Sequence, residues 1–322
     1  MNIFVAGHKG MVGRSIVRAL KARPDISILT AEKDSVNLLD QQAVMNYFSK
    51  NKIDQVYLAA AKVGGINSNI SYPGQFLYEN LAIQSNVIHG AHSCDVNKLM
   101  FFGSSCIYPV NSPQPICEDS LLKGPLEPTN EPYAIAKISG IKLCESYRNQ
   151  YGRDYRCIMP TNLYGPFDNF DLANCHVIPA LFERFHNAVK RGSDVVVLWG
   201  SGTPLREFLY VDDLAAAAIH LHNIEPNIYR QRLPSSVFHV NVGTGRECTI
   251  SEVANKIAAI TGFMGKIQFD SKMPDGAPRK LLDVSLAKSL GWEHQTGLSD
   301  GLNRTYAWYL QNRSKDIVPS AQ

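Results

Sequence analysis

The sequence predicts an α/β protein: a doubly wound parallel sheet joined to a smaller mixed α/β part. Three observations predict it. Short apolar runs alternate with helical patterns through the first half of the chain, as strand and crossover helix do in a parallel sheet. A glycine-rich turn joins the first apolar run to the first helical pattern. The alternation then lapses after Gly165-Pro166, where polar and aromatic loops mix with short elements.

The strand-like runs are 2–6, 26–30, 55–61, 98–103 and 155–160, and helical patterns at 13–23, 40–51, 74–95 and 132–151 separate them. Right-handed crossovers between such strands put helices on both faces of the sheet. Ligands then lie beyond the carboxyl ends of the strands. Residues 1–165 are expected to form a dinucleotide-binding domain of Rossmann type. Residues 166–322 are expected to be mainly a substrate-binding domain. The segment 208–245, with strand-like 238–242 and helical 212–222, reads as a return to the first sheet, so the two domains are expected to interleave.

Composition narrows the function. With 45% hydrophobic and 19% charged residues, the 322-residue chain reads as a soluble globule. A net charge of +3 and the lack of a basic block argue against nucleic acid. No apolar stretch approaches the ~20 residues that span a bilayer. The chain opens on a strand, so no targeting peptide is expected. Seven scattered cysteines, never in C-x-x-C spacing, argue against a disulfide framework or a metal site and for reducing cytoplasm. The polar tail 313–322 is expected to fray.

Gly7, Gly10 and Gly13, in Gly7-His8-Lys9-Gly10-Met11-Val12-Gly13, stand between a strand and a helix. Such a turn aims several backbone N–H groups at one place and suits a pyrophosphate. The spacing departs from the G-x-G-x-x-G dehydrogenase fingerprint. Lys9 and Lys33 can reach an adenosine 2′-phosphate, which points to NADP(H); Glu32 would repel that phosphate if it faced inward. Two solvated lysines are the other reading.

Tyr133 and Lys137 lie four apart, on one face of a helix. An ammonium beside a phenol is expected to favour the phenolate. Ser104, just past the strand at 98–103, can oppose that phenol, so that a substrate carbonyl oxygen meets two donors beside a hydride-bearing nicotinamide. Cys106 follows in the same loop, either as a small buried hydrophobe or as a proton carrier. His176 is either a second carrier or a residue capping the helix expected over 178–190.

These residues resemble the extended short-chain dehydrogenase/reductase superfamily. Within it, the strings Gly103-Ser104-Ser105-Cys106-Ile107-Tyr108-Pro109, Pro128-Thr129-Asn130-Glu131-Pro132-Tyr133 and Arg206-Glu207-Phe208-Leu209-Tyr210 are similar to the epimerase–reductases that make GDP-L-fucose from GDP-4-keto-6-deoxy-D-mannose. The resemblance runs from about residue 2 to 310. It implies a cytoplasmic, NADPH-dependent homodimer pairing helices 74–95 and 132–151 in a four-helix bundle. It implies Tyr133 as general acid/base, Lys137 as its partner and cofactor anchor, Ser104 as carbonyl donor, and Cys106 and His176 as base and acid of epimerisation. Cofactor contacts would come from Gly7, His8, Lys9, Gly10, Met11, Val12, Gly13, Lys33, Ala60, Lys137, Pro160, Asn162, Leu163 and His176. Arg184, Trp199, Arg206 and Asp275 would hold the GDP-sugar. Two rival readings are a related 4-epimerase or 4,6-dehydratase that keeps its NAD bound, and a dinucleotide sensor without catalysis. A dehydratase is expected to carry an acidic pair where this chain has Ser105-Cys106.

Overall fold

A computed structural model gives the architecture and describes residues 1–172, 174–273 and 275–313. Beyond Arg313, the tail expected to fray lies outside the described residues, as does Pro274. The first half runs β1 (Asn2–Ala6), α1 (Met11–Lys21), β2 (Ser27–Leu29), α2 (Gln41–Lys50), β3 (Gln55–Leu58), α3 (Ile66–Ser71), α4 (Pro73–Ser93), β4 (Lys98–Phe102), α5 (Glu131–Tyr151) and β5 (Asp154–Pro160). There follow β6 (Asn162–Tyr164), α6 (Val177–Arg191), β7 (Val195–Trp199), β8 (Leu205–Tyr210), α7 (Val211–Asn223), α8 (Pro226–Arg232) and β9 (His239–Val242). The chain closes with β10 (Glu247–Thr249), α9 (Ile250–Thr261), β11 (Lys266–Asp270), β12 (Arg279–Lys280), α10 (Ser285–Ser289) and α11 (Leu298–Asn312).

Six parallel strands form the main sheet in the order β2-β1-β3-β4-β5-β9. Strands β3 and β5 are buried along their whole length, and β1 and β4 beyond their first residue, which is why their sequences are mostly apolar. The chain turns outward from β1 to β2 and then crosses back to β3, so the strand order reverses between β1 and β3. A crevice therefore opens at their carboxyl ends. Apolar side chains pack both faces: Phe4, Val87, Ile88 and Ile141 belong to one layer, Ile16, Leu214, Leu221 and Val240 to the other.

The expected run 55–61 stops at Leu58, because Ala59–Gly65 leave the sheet as a loop tied to α4. There Asn80 accepts from the Lys62 backbone N–H at 2.9 Å and donates to its carbonyl at 3.0 Å. Helix α3 stands ahead of α4 where the sequence suggested none; its six residues, four of them polar, are too few to show a helical period.

A second sheet orders β10-β8-β12, with β6 also paired to β8, and β7 pairs with β11. Of the segment 208–245, α7 and β9 lie with the six-stranded sheet, while Phe208–Tyr210 belong to β8 of the second sheet. Glu207, fully buried on β8, accepts from the backbone N–H groups of Thr244, Gly245 and Leu282 at 2.6, 2.7 and 3.1 Å. One carboxylate thus pins three chain segments behind the cleft.

Candidate active site

The glycine turn fits a pyrophosphate on steric grounds. Gly7 has a φ of +84°, and a Cβ there would lie 2.6 Å from the Ala60 nitrogen. A Cβ on Gly13 would lie 2.1 Å from the Gly7 carbonyl oxygen, so α1 approaches the turn closer than any side chain permits. Gly10 caps α1 without a side-chain hydrogen bond and leaves first-turn N–H groups for a ligand. Pro160 ends β5 nearby, and Asn162 donates from its side chain to the Glu207 carbonyl at 2.9 Å. Leu163 packs against the sheet's core.

Glu32, awkward in the sequence, is paired. Its carboxylate holds the Lys9 ammonium, and His8 Nε2 stands 3.3 Å away. The Lys9 contact draws its pKa below the ordinary carboxylate value. Lys33 is exposed beside it. Lys9 therefore offsets the Glu32 charge just beyond β2, and the adjacent Lys33 adds a second cation for a phosphate.

Tyr133 and Lys137 share a face of α5 as the spacing requires, and the ammonium lies over the phenol ring. Lys137 Nζ donates to the Phe102 carbonyl at 2.8 Å and lies 5.7 Å from the Tyr133 ring centre. Burial pushes the phenol pKa up, with the Cys106 charge adding to it, and burial brings Lys137 down to about 8. Burial therefore works against the expected phenolate and favours the neutral form that donates a proton.

Ser104 begins a single 3-10 turn, Ser105–Ile107, and its Oγ accepts from the Cys106 backbone N–H at 3.4 Å. Cys106 is buried, which raises its thiol pKa, while the Lys280 and Lys137 ammonium groups pull it back. Lys280 is a site residue that spacing could not find. Strand β12 places it opposite Arg206 on β8, far along the chain from the thiol it faces.

His176 precedes α6 and makes no cap hydrogen bond. Its side chain is open to solvent yet has protein on most sides, and the lost water holds its pKa below the ordinary imidazole value. The preceding residue pair reaches back to the other half: the Gly65 N–H donates to the Asn174 carbonyl at 3.1 Å, and the Ser68 hydroxyl meets Asn174 Oδ1 at 2.5 Å. Among the described residues no hydrogen bond links His176 to Cys106 or Tyr133.

The four residues expected to hold a nucleotide sugar fall on neighbouring elements. Arg184 on α6 donates to the Val197 carbonyl of β7 at 3.4 Å, and Trp199 ends that strand 59% exposed. Asp275 accepts from the Ser201 N–H and hydroxyl at 2.9 and 2.7 Å, which lowers its pKa. A Cβ on Gly276 would lie 3.0 Å from Arg206 Nη2, so this loop and the Arg206 guanidinium adjoin. A bare indole and two guanidinium groups suit a base and a diphosphate.

Residues 3–231 match the family described as the NAD dependent epimerase/dehydratase family. Over 313 residues the chain is 56% identical to the GDP-L-fucose synthase of Escherichia coli, covering 97% of this chain and 98% of that one. It is 52% identical to GDP-L-fucose synthase 1 of Arabidopsis thaliana, covering 96% and 93%. Among solved structures it is similar to MlghC, a GDP-mannoheptose C4 reductase from Campylobacter jejuni with NADP bound. That likeness has a TM-score of 0.87 at 36% identity and covers 96% and 98% of the two chains.

Proposed function

The chain belongs to the NAD dependent epimerase/dehydratase family, within it to the GDP-L-fucose synthases, and on that premise we propose that it epimerises GDP-4-keto-6-deoxy-D-mannose at C3 and C5 and reduces C4 to give GDP-L-fucose. The observation that carries the reading is the gathering of Ser104, Cys106, Tyr133 and Lys137 at the carboxyl end of β4, one strand from the crevice. Removing a proton from C3 or C5 leaves an enolate whose charge rests on the C4 oxygen, and Ser104 and Tyr133 donate to that oxygen. Cys106 takes the proton from one face and His176 returns one to the other. Desolvation raises the Cys106 thiol and lowers the His176 imidazole, so the working pair is reached by moving one proton from sulfur to the imidazole, leaving a thiolate to take the substrate proton and an imidazolium to give one. Lys280 and Lys137 stabilise the thiolate that results. Tyr133 gives its proton to the C4 oxygen, and NADPH, when bound, would supply the hydride for C4.

Gly7, Gly10 and Gly13 with the adjoining His8, Lys9, Met11 and Val12 would hold NADPH, together with Lys33, Ala60, Lys137, Pro160, Asn162, Leu163 and His176. Arg184, Trp199, Arg206 and Asp275 would hold the GDP-sugar. In this reading the dinucleotide-binding domain is 1–165 with a return through 208–245, and the remainder of 166–322 binds substrate. Tyr78 and Ile135, exposed on α4 and α5, support a homodimer through those helices. No helix among the described residues is long and apolar enough to cross a membrane. All seven cysteines are free, which favours the cytoplasm.

The test is incubation with NADPH and a panel of GDP- and UDP-linked 4-keto-6-deoxy sugars. GDP-L-fucose should form with one NADPH consumed per product. A cofactor that is only recycled on the enzyme, or a preference for UDP-sugars, would refute the reading.

A further inference from the structure

We propose that Tyr108 is a positioning residue for Cys106, acting through a buried hydrogen-bonded hub centred on Asn241. The inference rests on the epimerase–reductase reading and adds to it a residue outside the reacting set.

The turn that carries Cys106 holds itself weakly. Its backbone bonds, Ile107 N–H to the Ser104 carbonyl and Tyr108 N–H to the Ser105 carbonyl, are 3.2 and 3.5 Å long. The thiol's place is therefore set at the two ends of the turn. At one end Lys137 grips the Phe102 carbonyl at 2.8 Å. At the other stands the Tyr108 side chain, buried and two residues past the thiol.

The Tyr108 phenol has a defined donor and acceptor. Asn241 Nδ2 donates to the Ile116 carbonyl at 2.9 Å, which turns its Oδ1 toward the phenol oxygen, 2.5 Å away. The phenol has one proton and gives it to that oxygen. His239 Nε2, at 2.9 Å, is then the donor to Tyr108. Asn241 also gives its backbone N–H to Glu118 Oε1 at 2.9 Å. Tyr108, Asn241 and His239 are all buried, so the network exchanges little with water.

The hub reaches the cation that faces the thiol. The Ile116 N–H donates to the Leu281 carbonyl at 2.8 Å, and the Asp283 N–H donates to the Ile116 carbonyl at 2.9 Å. That segment follows Lys280 directly. One phenol thus ties the catalytic turn, edge strand β9 and the Lys280 segment into one frame around Cys106. Tyr133 and Lys137 stand on α5, and Lys137 is held by the Phe102 carbonyl rather than by the hub. Loss of the phenol hydroxyl should therefore impair proton transfer at C3 and C5 more than cofactor binding.

The test is solvent-deuterium wash-in at C3 and C5 of GDP-4-keto-6-deoxy-D-mannose, with NADPH affinity and thermal midpoint measured alongside. Misplacing a reacting group by about 1 Å can cost on the order of a hundredfold, so Tyr108→Phe should slow wash-in by roughly ten- to a hundredfold. NADPH affinity should hold within about twofold, because the glycine turn lies elsewhere. Asn241→Leu, which removes the acceptor, should slow wash-in likewise and serves alone if Tyr108→Phe does not fold. Since Tyr108 is argued to act through Asn241, the double variant should be no slower than the worse single one. Wash-in at the unmodified rate, losses that multiply, or equal losses of wash-in and NADPH affinity would each overturn the inference. An unmodified protein without wash-in would instead sink the parent reading.

Discussion

Glu118 makes the folded protein pay for alkaline pH, and replacing it by glutamine should remove the cost. Burial raises its carboxyl from the ordinary 4.5 to about 7, opposed by the Asn241 N–H and reinforced by the Asp283 and Asp119 charges. A carboxyl raised in the folded state binds its proton more tightly there than in the unfolded chain. Its contribution is best at acid pH and is lost as pH climbs from 4.5 to about 7, then stays flat. At 1.36 kcal/mol per pH unit, ionised Glu118 costs about 3 kcal/mol at pH 8 and under about 1 kcal/mol at pH 5. Glu118→Gln keeps an oxygen for the Asn241 N–H and removes the charge. Urea unfolding of both proteins at pH 5 and pH 8 gives the measurement. Relative to the unmodified protein, the variant should gain about 2–3 kcal/mol more at pH 8 than at pH 5. An equal difference at both pH values would refute the reasoning, since only titration of this group separates them.

Cys106→Ser should lower deuterium wash-in by about a hundredfold or more while NADPH still binds; unchanged wash-in would remove the thiol from the mechanism. Gly13→Ala places a methyl 2.1 Å from the Gly7 carbonyl oxygen, and overpacking of that kind costs about 1–3 kcal/mol, so NADPH affinity should fall roughly tenfold or more by fluorescence titration. Full affinity would show that the turn can open at no cost. Lys280→Met removes a cation that lowers the Cys106 pKa, so the rising limb of wash-in against pH should move to higher pH. A limb that stays in place would exclude Lys280 as the thiolate's partner.

What the sequence could tell was local or periodic. Residues 2–6 and 98–103 read as strands because a strand buried on both faces has no polar alternation to hide it, and β1 and β4 lie there. Gly7, Gly10 and Gly13 announced their turn because a Cβ at Gly7 or Gly13 has nowhere to go. The pairing of Lys9 with Glu32 could not be read, since it depends on where two loops from different strands end. Nor could the protonation of Tyr133. Spacing puts an ammonium one turn away but does not show that Lys137 Nζ also donates to the Phe102 carbonyl or that burial raises the phenol's pKa.

The same logic explains why Lys280 and Asn241 left no signal. Each comes to the Cys106 turn from a strand far along the chain, β12 and β9, and nothing in the spacing ties it to that turn, although Lys280 closes a stretch, 274–280, that shares in the family resemblance. A cation or an amide at a strand end is unremarkable until a thiol or a phenol is brought against it. The motif residues therefore supply the reacting groups, whereas the groups that set their charge and place come from the strands laid down last. Substitution in β9 or β12 should accordingly change proton transfer at Cys106 while leaving the glycine turn, and hence cofactor affinity, as it is.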